Sequence, residues 1–144
     1  MEMINMEYAA QIKAGVAAIR RGTGFEPEIG LILGSGLGDY ARRLENPVTV
    51  PYGDLPVFPV STAPGHVGRF VLGERMGRRV IAMQGRIHGY EGYTHRQVAL
   101  PVYIMRCLGV KNLLITNAAG GVNTAYAVGA LMAISDHINY SGQN

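Results

Sequence analysis

Apolar side chains recur every three or four residues in two segments, which predicts two amphipathic helices. The first helix is predicted over residues 6–21 and stops before Gly22. The second starts at Thr94, because Gln97 lies three residues further on and completes a capping box. Gly109 follows the last apolar position of this segment and is expected to end the helix.

Runs of apolar and β-branched residues predict the strands. Residues 28–33 and 112–116 each contain a continuous apolar run, which is typical of buried strands. Residues 69–72 and 79–83 flank a turn-like stretch and predict a hairpin. A last strand is predicted over 131–135.

Strand, glycine-rich loop and helix alternate along the chain. This order predicts the α/β class, with a mixed, partly parallel central sheet flanked by helices. A short helix is expected over 39–44, and the five prolines in 47–64 predict an irregular, extended stretch. With 144 residues and no linker or repeat, residues 1–144 are expected to form one domain.

Composition narrows the classes of protein. The net charge is +3, but the basic residues are scattered pairs rather than a stripe with aromatics, so nucleic-acid binding is not expected. No run of about 18 apolar residues predicts a membrane span. The start of the chain is unlike a signal peptide, and Cys107 is the single cysteine, so we expect a cytoplasmic protein.

Three loops are expected beyond the carboxyl ends of strands, where ligands of α/β folds gather: 34–38, 85–93 and 117–121. The first is neither a complete dinucleotide-binding fingerprint nor a Walker A loop. A tight glycine turn before a helix still directs backbone N–H groups at an anion, and Ser35 adds a hydroxyl donor. The alternative is a plain strand-to-helix turn.

Arg86 and His88 are the strongest candidates for anion binding. They are two residues apart, so in an extended segment their side chains leave on one face. A guanidinium binds phosphate oxygens in a bidentate fork, and an imidazole can donate a further hydrogen bond. The alternative is an exposed arginine beside an unrelated histidine. His66 lies in a glycine turn, where a lone histidine is usually structural or solvated.

Other residues of these loops suit a small polar ligand. Tyr90 could pack on a sugar face, and Glu91 could hold Arg86 or accept a bond from a hydroxyl. Ala118 offers only its backbone N–H, among small neighbours that let a ligand approach. No group of histidines and cysteines has zinc-ligand spacing, so no metal site is predicted.

Five segments in order resemble the trimeric class of purine nucleoside phosphorylases, and they extend over nearly the whole chain. These segments are 33–38, 61–68, 84–92, 116–121 and 135–139. The resemblance implies a phosphorylase/hydrolase-like α/β fold. It implies a transferase that converts a purine nucleoside and phosphate into the free base and ribose 1-phosphate, in purine salvage. Inorganic phosphate is then the co-substrate, no metal or organic cofactor is needed, and the protein is expected to be a homo-oligomer.

The resemblance also implies roles for individual residues. Phosphate is expected to contact the side chains of Ser35, His66, Arg86 and His88 and the backbone of Ala118. Tyr90 is expected beside the ribose, with Glu91 orienting Arg86 or a ribose hydroxyl.

Members of this family run to nearly twice the present length, so 1–144 is expected to be a single partial domain, incomplete at its C-terminus. The base-binding residues would lie in the half without a counterpart here, so they and the preferred base are unknown. We therefore expect weak or absent turnover, and an exposed sheet edge that promotes self-association. Two alternatives are a non-catalytic oligomeric module that binds phosphate or nucleosides, and one half of a split enzyme.

Overall fold

A computed structural model describes residues 2–60, 67–140 and 142. Its helices are α1 (Glu2–Gly22) and α2 (His95–Leu108). Its strands are β1 (Ile29–Ile32), β2 (Glu45–Pro51), β3 (Arg69–Arg75), β4 (Arg78–Gln84) and β5 (Asn112–Ile115). Short 3₁₀ helices cover Gly38–Arg43, Tyr52–Asp54 and Gly89–Glu91.

The described strands form one mixed sheet in the order β2-β3-β4-β1-β5. Strand β1 pairs in parallel with both β4 and β5, while β2, β3 and β4 pair antiparallel. The carboxyl ends of β1, β4 and β5 therefore lie at the same end of the sheet. Because β3 runs the other way, its first residue, Arg69, lies opposite Gln84 at that end. This confirms the predicted fold class.

The two faces of the sheet are covered differently. Helices α1 and α2 pack on one face and build the main core, which includes Ile19, Phe70, Leu72, Ile81, Leu100, Ile104 and Leu108. The 3₁₀ helix Gly38–Arg43 and the residue after it cover part of the other face, where Ala41 and Leu44 pack on Val71 and Val80. None of the helices in the described residues is long and apolar enough to cross a membrane.

The predicted ends of α2 are confirmed. The Thr94 hydroxyl accepts a hydrogen bond from the Gln97 backbone N–H at 3.3 Å, and the Gln97 side chain accepts one from the Thr94 N–H at 2.9 Å. These two bonds satisfy donors that have no partner within the helix. Gly109 ends the helix with a φ of 118°, in the left-handed region that favours glycine.

The hairpin is confirmed with a tighter turn than the sequence indicated. Strand β3 continues to Arg75 and β4 begins at Arg78, so only Met76 and Gly77 connect them. Both have positive φ, 52° and 70°, as in two-residue turns whose twist matches that of paired strands.

The interpretation of 47–64 as irregular is wrong over 47–51. Residues Glu45–Pro51 form strand β2, which pairs antiparallel with β3 with a register shift between Glu45 and Val48. Strand β2 lies at the edge of the sheet, where a proline without an N–H is tolerated. The prolines therefore marked an edge strand rather than the absence of one.

Two predictions near the C-terminal end are also wrong. Strand β5 forms, but it is exposed rather than buried: Leu114 and Ile115 keep 52% and 63% of their surface accessible. An apolar strand is buried only where other elements cover it, and β5 lies at the sheet edge, beside β1 alone. Residues 131–135 form no strand, because a strand needs a neighbour to pair with and the described residues supply none there.

Candidate functional site

The three predicted loops meet at the carboxyl end of the parallel strands. Residues 34–38 follow β1, residues 85–94 follow β4, and the irregular segment from 116 onward follows β5. Since β1 lies between β4 and β5, its loop is flanked by the other two. This is the position at which open α/β sheets bind ligands.

Thr116 joins these loops. Its hydroxyl accepts a hydrogen bond from the Gly34 N–H at 3.0 Å and donates one to the Ile32 carbonyl at 3.1 Å. Its carbonyl accepts a hydrogen bond from Nη1 of Arg86 at 3.3 Å. One threonine therefore fixes the glycine loop and the candidate phosphate-binding arginine relative to each other.

The close approach at Gly34 leaves no room for a side chain. A Cβ atom at this position would lie 2.5 Å from the Thr116 carbonyl oxygen and 2.8 Å from Cα of Asn117. Two residues on, Gly36 adopts a φ of 79°, which turns the chain back. Ser35 lies between these two glycines and is exposed at the tip of the turn.

A cavity of about 220 Å³ opens beside this turn. It is lined by Leu33, Gly34, Ser35, Gly36, Gly38, Asp39, Arg42, Val67, Gln84 and Gly85. Pockets for drug-sized molecules start at about 300 Å³, so this cavity matches a small anion better than a whole nucleoside. Its wall ends at Gly85, one residue before Arg86.

A larger groove of about 500 Å³ lies elsewhere, on the outer side of α1 and α2. Its lining includes Ile12, Val16 and Cys107, and it contains none of the predicted site residues. We therefore place the candidate site at the smaller cavity, which is lined by residues of the predicted loops.

The segment after β4 has the predicted alternation. Ile87 is buried, whereas Arg86 and His88 on either side of it are partly exposed. The His88 ring stacks on Tyr90, with centroids 4.6 Å apart and an angle of 16° between the planes. Tyr90 is 78% exposed, so its ring remains accessible from solvent.

Glu91 and His88 hold each other through the 3₁₀ helix Gly89–Glu91. The Glu91 carboxylate accepts a hydrogen bond from the His88 N–H at 2.9 Å, and the His88 ring accepts one from the Glu91 N–H. A ring nitrogen that accepts a bond carries no hydrogen, so in the neutral imidazole the other nitrogen is a donor. This arrangement suits a histidine that donates a hydrogen bond to an anion.

Two predicted site residues remain, Ala118 and His66. Ala118 is exposed two residues beyond Thr116, in the irregular segment after β5. His66 lies outside the described residues. Gly68, two residues later in the sequence, is described, and its N–H donates a hydrogen bond to the Gln84 carbonyl at 2.9 Å.

Three residues that organise this site were missed by the sequence reasoning. Gln84 and Thr116 each end an apolar run with a polar side chain just before a candidate loop, which was the available signal. Tyr52 had no such signal, because it lies in the proline-rich stretch. Its hydroxyl donates a hydrogen bond to the Gly85 carbonyl at 2.8 Å, and its ring packs against Phe58 and Phe70. Burial raises the pKa of Tyr52.

We predict that Tyr52→Phe lowers the free energy of unfolding at neutral pH by about 1–3 kcal/mol, because the buried Gly85 carbonyl loses its donor. The raised pKa of Tyr52 means that the folded protein keeps this phenol protonated. Its contribution is therefore complete below the unfolded pKa of about 10 and declines as the pH rises above that value. Urea denaturation of both proteins between neutral pH and pH about 11 measures the difference.

The difference in free energy of unfolding between the original protein and Tyr52→Phe should become smaller at high pH. The half-exposed Tyr126 offers a control, because Tyr126→Phe should change stability little at any pH. A difference between Tyr52→Phe and the original protein that is constant with pH would contradict this account.

Taken together, the fold and these contacts define an α/β protein with three loops and a small cavity at the carboxyl ends of parallel strands. Residues 28–144 match the family model described as "Phosphorylase superfamily", and the chain belongs to that family.

The similar proteins agree with the resemblance seen in the motifs. The chain is 54% identical to purine nucleoside phosphorylase 1 of Bacillus subtilis over 134 residues, which is 93% of this chain and 49% of that protein. Its fold matches Schistosoma mansoni purine nucleoside phosphorylase in complex with inosine, with a TM-score of 0.75 and 42% identity over 83% of this chain and 42% of the other.

A second solved structure is isoform 2 of the Schistosoma mansoni enzyme in complex with cytosine and ribose-1-phosphate. It matches with a TM-score of 0.74 and 46% identity, over 80% of this chain and 40% of that one. The resemblance to the N-terminal part of purine nucleoside phosphorylases is thus confirmed. The chain spans about half the length of the curated relatives it matches.

Proposed function

We propose that this chain supplies the phosphate-binding part of a purine nucleoside phosphorylase site. The observation that carries the proposal is the junction at Thr116, which joins the Gly34 turn and the Arg86 guanidinium beside a cavity of anion size. In this proposal phosphate contacts the side chains of Ser35, His66, Arg86 and His88 and the backbone N–H of Ala118.

The proposed reaction depends on a phosphate held in place before the bond breaks. A phosphate oxygen attacks C1′ of the ribose as the bond from C1′ to the purine nitrogen breaks. The bonding electron pair leaves with the purine, which takes up a proton. The sugar passes through a cation-like state that the phosphate dianion stabilises, so the chain's contribution is positioning and electrostatics. The reaction as proposed uses no metal and no organic cofactor.

The names of the similar proteins support a purine nucleoside and phosphate as the substrates. The similar proteins are called purine nucleoside phosphorylases, and the two matched structures are described with inosine and with ribose-1-phosphate. For this chain we propose Tyr90 as the ribose-facing side chain, since its exposed ring stacks on His88 beside the proposed phosphate site. Glu91 contributes by holding the backbone of His88.

We propose that residues 1–144 on their own turn over purine nucleosides weakly or not at all. The cavity among the described residues is the one proposed for phosphate, and we assign no residue among them to the purine, which must be held and protonated as it leaves. The exposed apolar strand β5 supports a homo-oligomer. The single cysteine agrees with a cytoplasmic location.

Phosphate titration followed by nuclear magnetic resonance tests the proposal. Inorganic phosphate should shift the backbone amide signals of Gly34, Ser35, Gly36, Arg86, His88 and Ala118 and saturate. Sodium chloride at matched ionic strength is the control and should leave them unchanged. Equal shifts with chloride, or phosphate-dependent shifts located on α1 instead, would overturn the proposed site.

A further inference from the structure

Gln84 is a polar side chain in a buried position, with 3% of its surface exposed. It is the last residue of β4, directly before Gly85 and Arg86. Both ends of its amide are used: the oxygen accepts a hydrogen bond from Nε of Arg69 at 2.7 Å, and the nitrogen donates one to the Gly38 carbonyl at 2.9 Å. A buried amide with both ends bonded is fixed in one orientation.

The same residue contacts two of the loops that surround the cavity. Its side chain reaches Gly38, at the end of the glycine turn that carries Ser35. Its backbone carbonyl accepts the hydrogen bond from Gly68 at 2.9 Å, and Gly68 follows Val67, which lines the cavity. Gln84 also lines the cavity itself.

We propose that Gln84 is a positioning residue for phosphate. It sets the glycine turn at a fixed distance from β4. The donors of Ser35 and Gly36 and those of Arg86 and His88 can then bind the same anion. This inference rests on the proposed function, because it assigns to Gln84 a role at that phosphate site.

The chemistry requires an amide at this position rather than a carboxylate. Arg69 is a donor and the Gly38 carbonyl is an acceptor, so the side chain between them must accept at one atom and donate at the other. A glutamate could pair with Arg69, but it would place an acceptor against the Gly38 carbonyl. It would also bring a negative charge to the wall of a cavity proposed for an anion.

Two substitutions separate these effects. Gln84→Met keeps the volume and removes both hydrogen bonds, and we expect it to raise the phosphate Kd about tenfold. Gln84→Glu is nearly isosteric and adds a charge, and we expect it to raise Kd about 100-fold. The ratio of the Kd of Gln84→Glu to the Kd of Gln84→Met should grow over the pH range in which inorganic phosphate passes from monoanion to dianion. The reason is that the repulsion between the glutamate and phosphate doubles when the charge on phosphate doubles. Titration calorimetry at several pH values measures both.

Arg69→Met provides a second test that leaves the cavity lining unchanged. It removes the partner of the Gln84 oxygen, and we expect the phosphate Kd to rise about threefold while the amide signals of Ser35 and Gly36 shift. Arg78→Met is the matched control, because Arg78 is exposed and begins β4, at the end of that strand opposite Gln84. It should leave both the Kd and those amide signals unchanged.

The outcomes distinguish the two proposals. If the original protein binds no phosphate, the proposed function fails. If it binds phosphate and folded Gln84→Met and Arg69→Met proteins bind it with the original Kd, the role of Gln84 fails and the proposed function stands. Should Gln84→Met not fold, Arg69→Met decides alone, and an unchanged Kd there overturns the inference.

Discussion

Gly34→Ala is expected to destabilise the protein by about 3 kcal/mol, which lowers the midpoint of thermal unfolding by roughly 10 °C. The added Cβ would lie 2.5 Å from the Thr116 carbonyl oxygen and 2.8 Å from Cα of Asn117. Both are backbone atoms, so no side-chain rotation relieves the contact. The loop must move away from the end of β5, which breaks the hydrogen bond from the Gly34 N–H to the Thr116 hydroxyl.

Two other glycines serve as controls for Gly34→Ala. Gly36 has open space for a Cβ but a φ of 79°, so Gly36→Ala should cost only the left-handed conformation, about 1–2 kcal/mol. Gly24 has open space and no such φ, so Gly24→Ala should change stability by less than about 0.5 kcal/mol. Urea denaturation measures all three, and equal stability of Gly34→Ala and Gly24→Ala would contradict the packing argument.

The sequence predicted those parts of the fold that local chemistry determines. Thr94 and Gly109 set the ends of α2 through hydrogen bonds to backbone groups within the same turn of chain. The hairpin formed because two runs of β-formers lie on either side of residues that adopt positive φ. Such signals are complete within a few residues, so no knowledge of the rest of the fold was needed.

The wrong predictions, those for β2 and β5, concern properties that depend on distant parts of the chain. Strand β2 forms by pairing with β3, some twenty residues later, and its prolines are compatible with that pairing only because it is an edge strand. The burial of β5 could not be inferred from its apolar run, since burial depends on what covers the strand. Both properties belong to the neighbours of a strand rather than to its own residues.

The candidate site was predictable in its loops but not in the contacts that join them. Residue type alone was enough to select the loop glycines, Ser35, Arg86 and His88 as candidates for anion binding. Thr116, in contrast, acts through its hydroxyl toward a residue 82 positions away and through its backbone carbonyl toward a residue 30 positions away. Gln84 likewise gains its role only from the register that sets it beside Arg69. These roles require the sheet order, which the local pattern does not contain.

Arg86→Met is expected to raise the phosphate Kd by about 30-fold or more, equivalent to about 2 kcal/mol. A guanidinium carries donors on three nitrogens in one plane, so Arg86 can bond the Thr116 carbonyl and still present donors toward an anion. Methionine keeps most of the length and loses both the charge and the donors. Titration calorimetry with inorganic phosphate measures the change.

Arg86→Lys separates charge from geometry. Lysine keeps the positive charge but presents a single ammonium in place of a planar fork, so it cannot hold the Thr116 carbonyl and bond phosphate in the same bidentate arrangement. We expect a Kd about tenfold above that of the original protein, between those of the original and the methionine variant. A Kd for Arg86→Lys equal to the original would mean that charge alone matters at this position.

The control for both variants is Arg78→Met, which removes one positive charge from the opposite end of β4 and should leave the Kd unchanged. If Arg78→Met weakens binding as much as Arg86→Met does, then phosphate responds to the net charge of +3 rather than to a built site. If only the Arg86 variants weaken it, the effect belongs to the guanidinium held at Thr116. Since loss of that hydrogen bond can also loosen the loops, urea denaturation of each variant shows whether folded protein was compared.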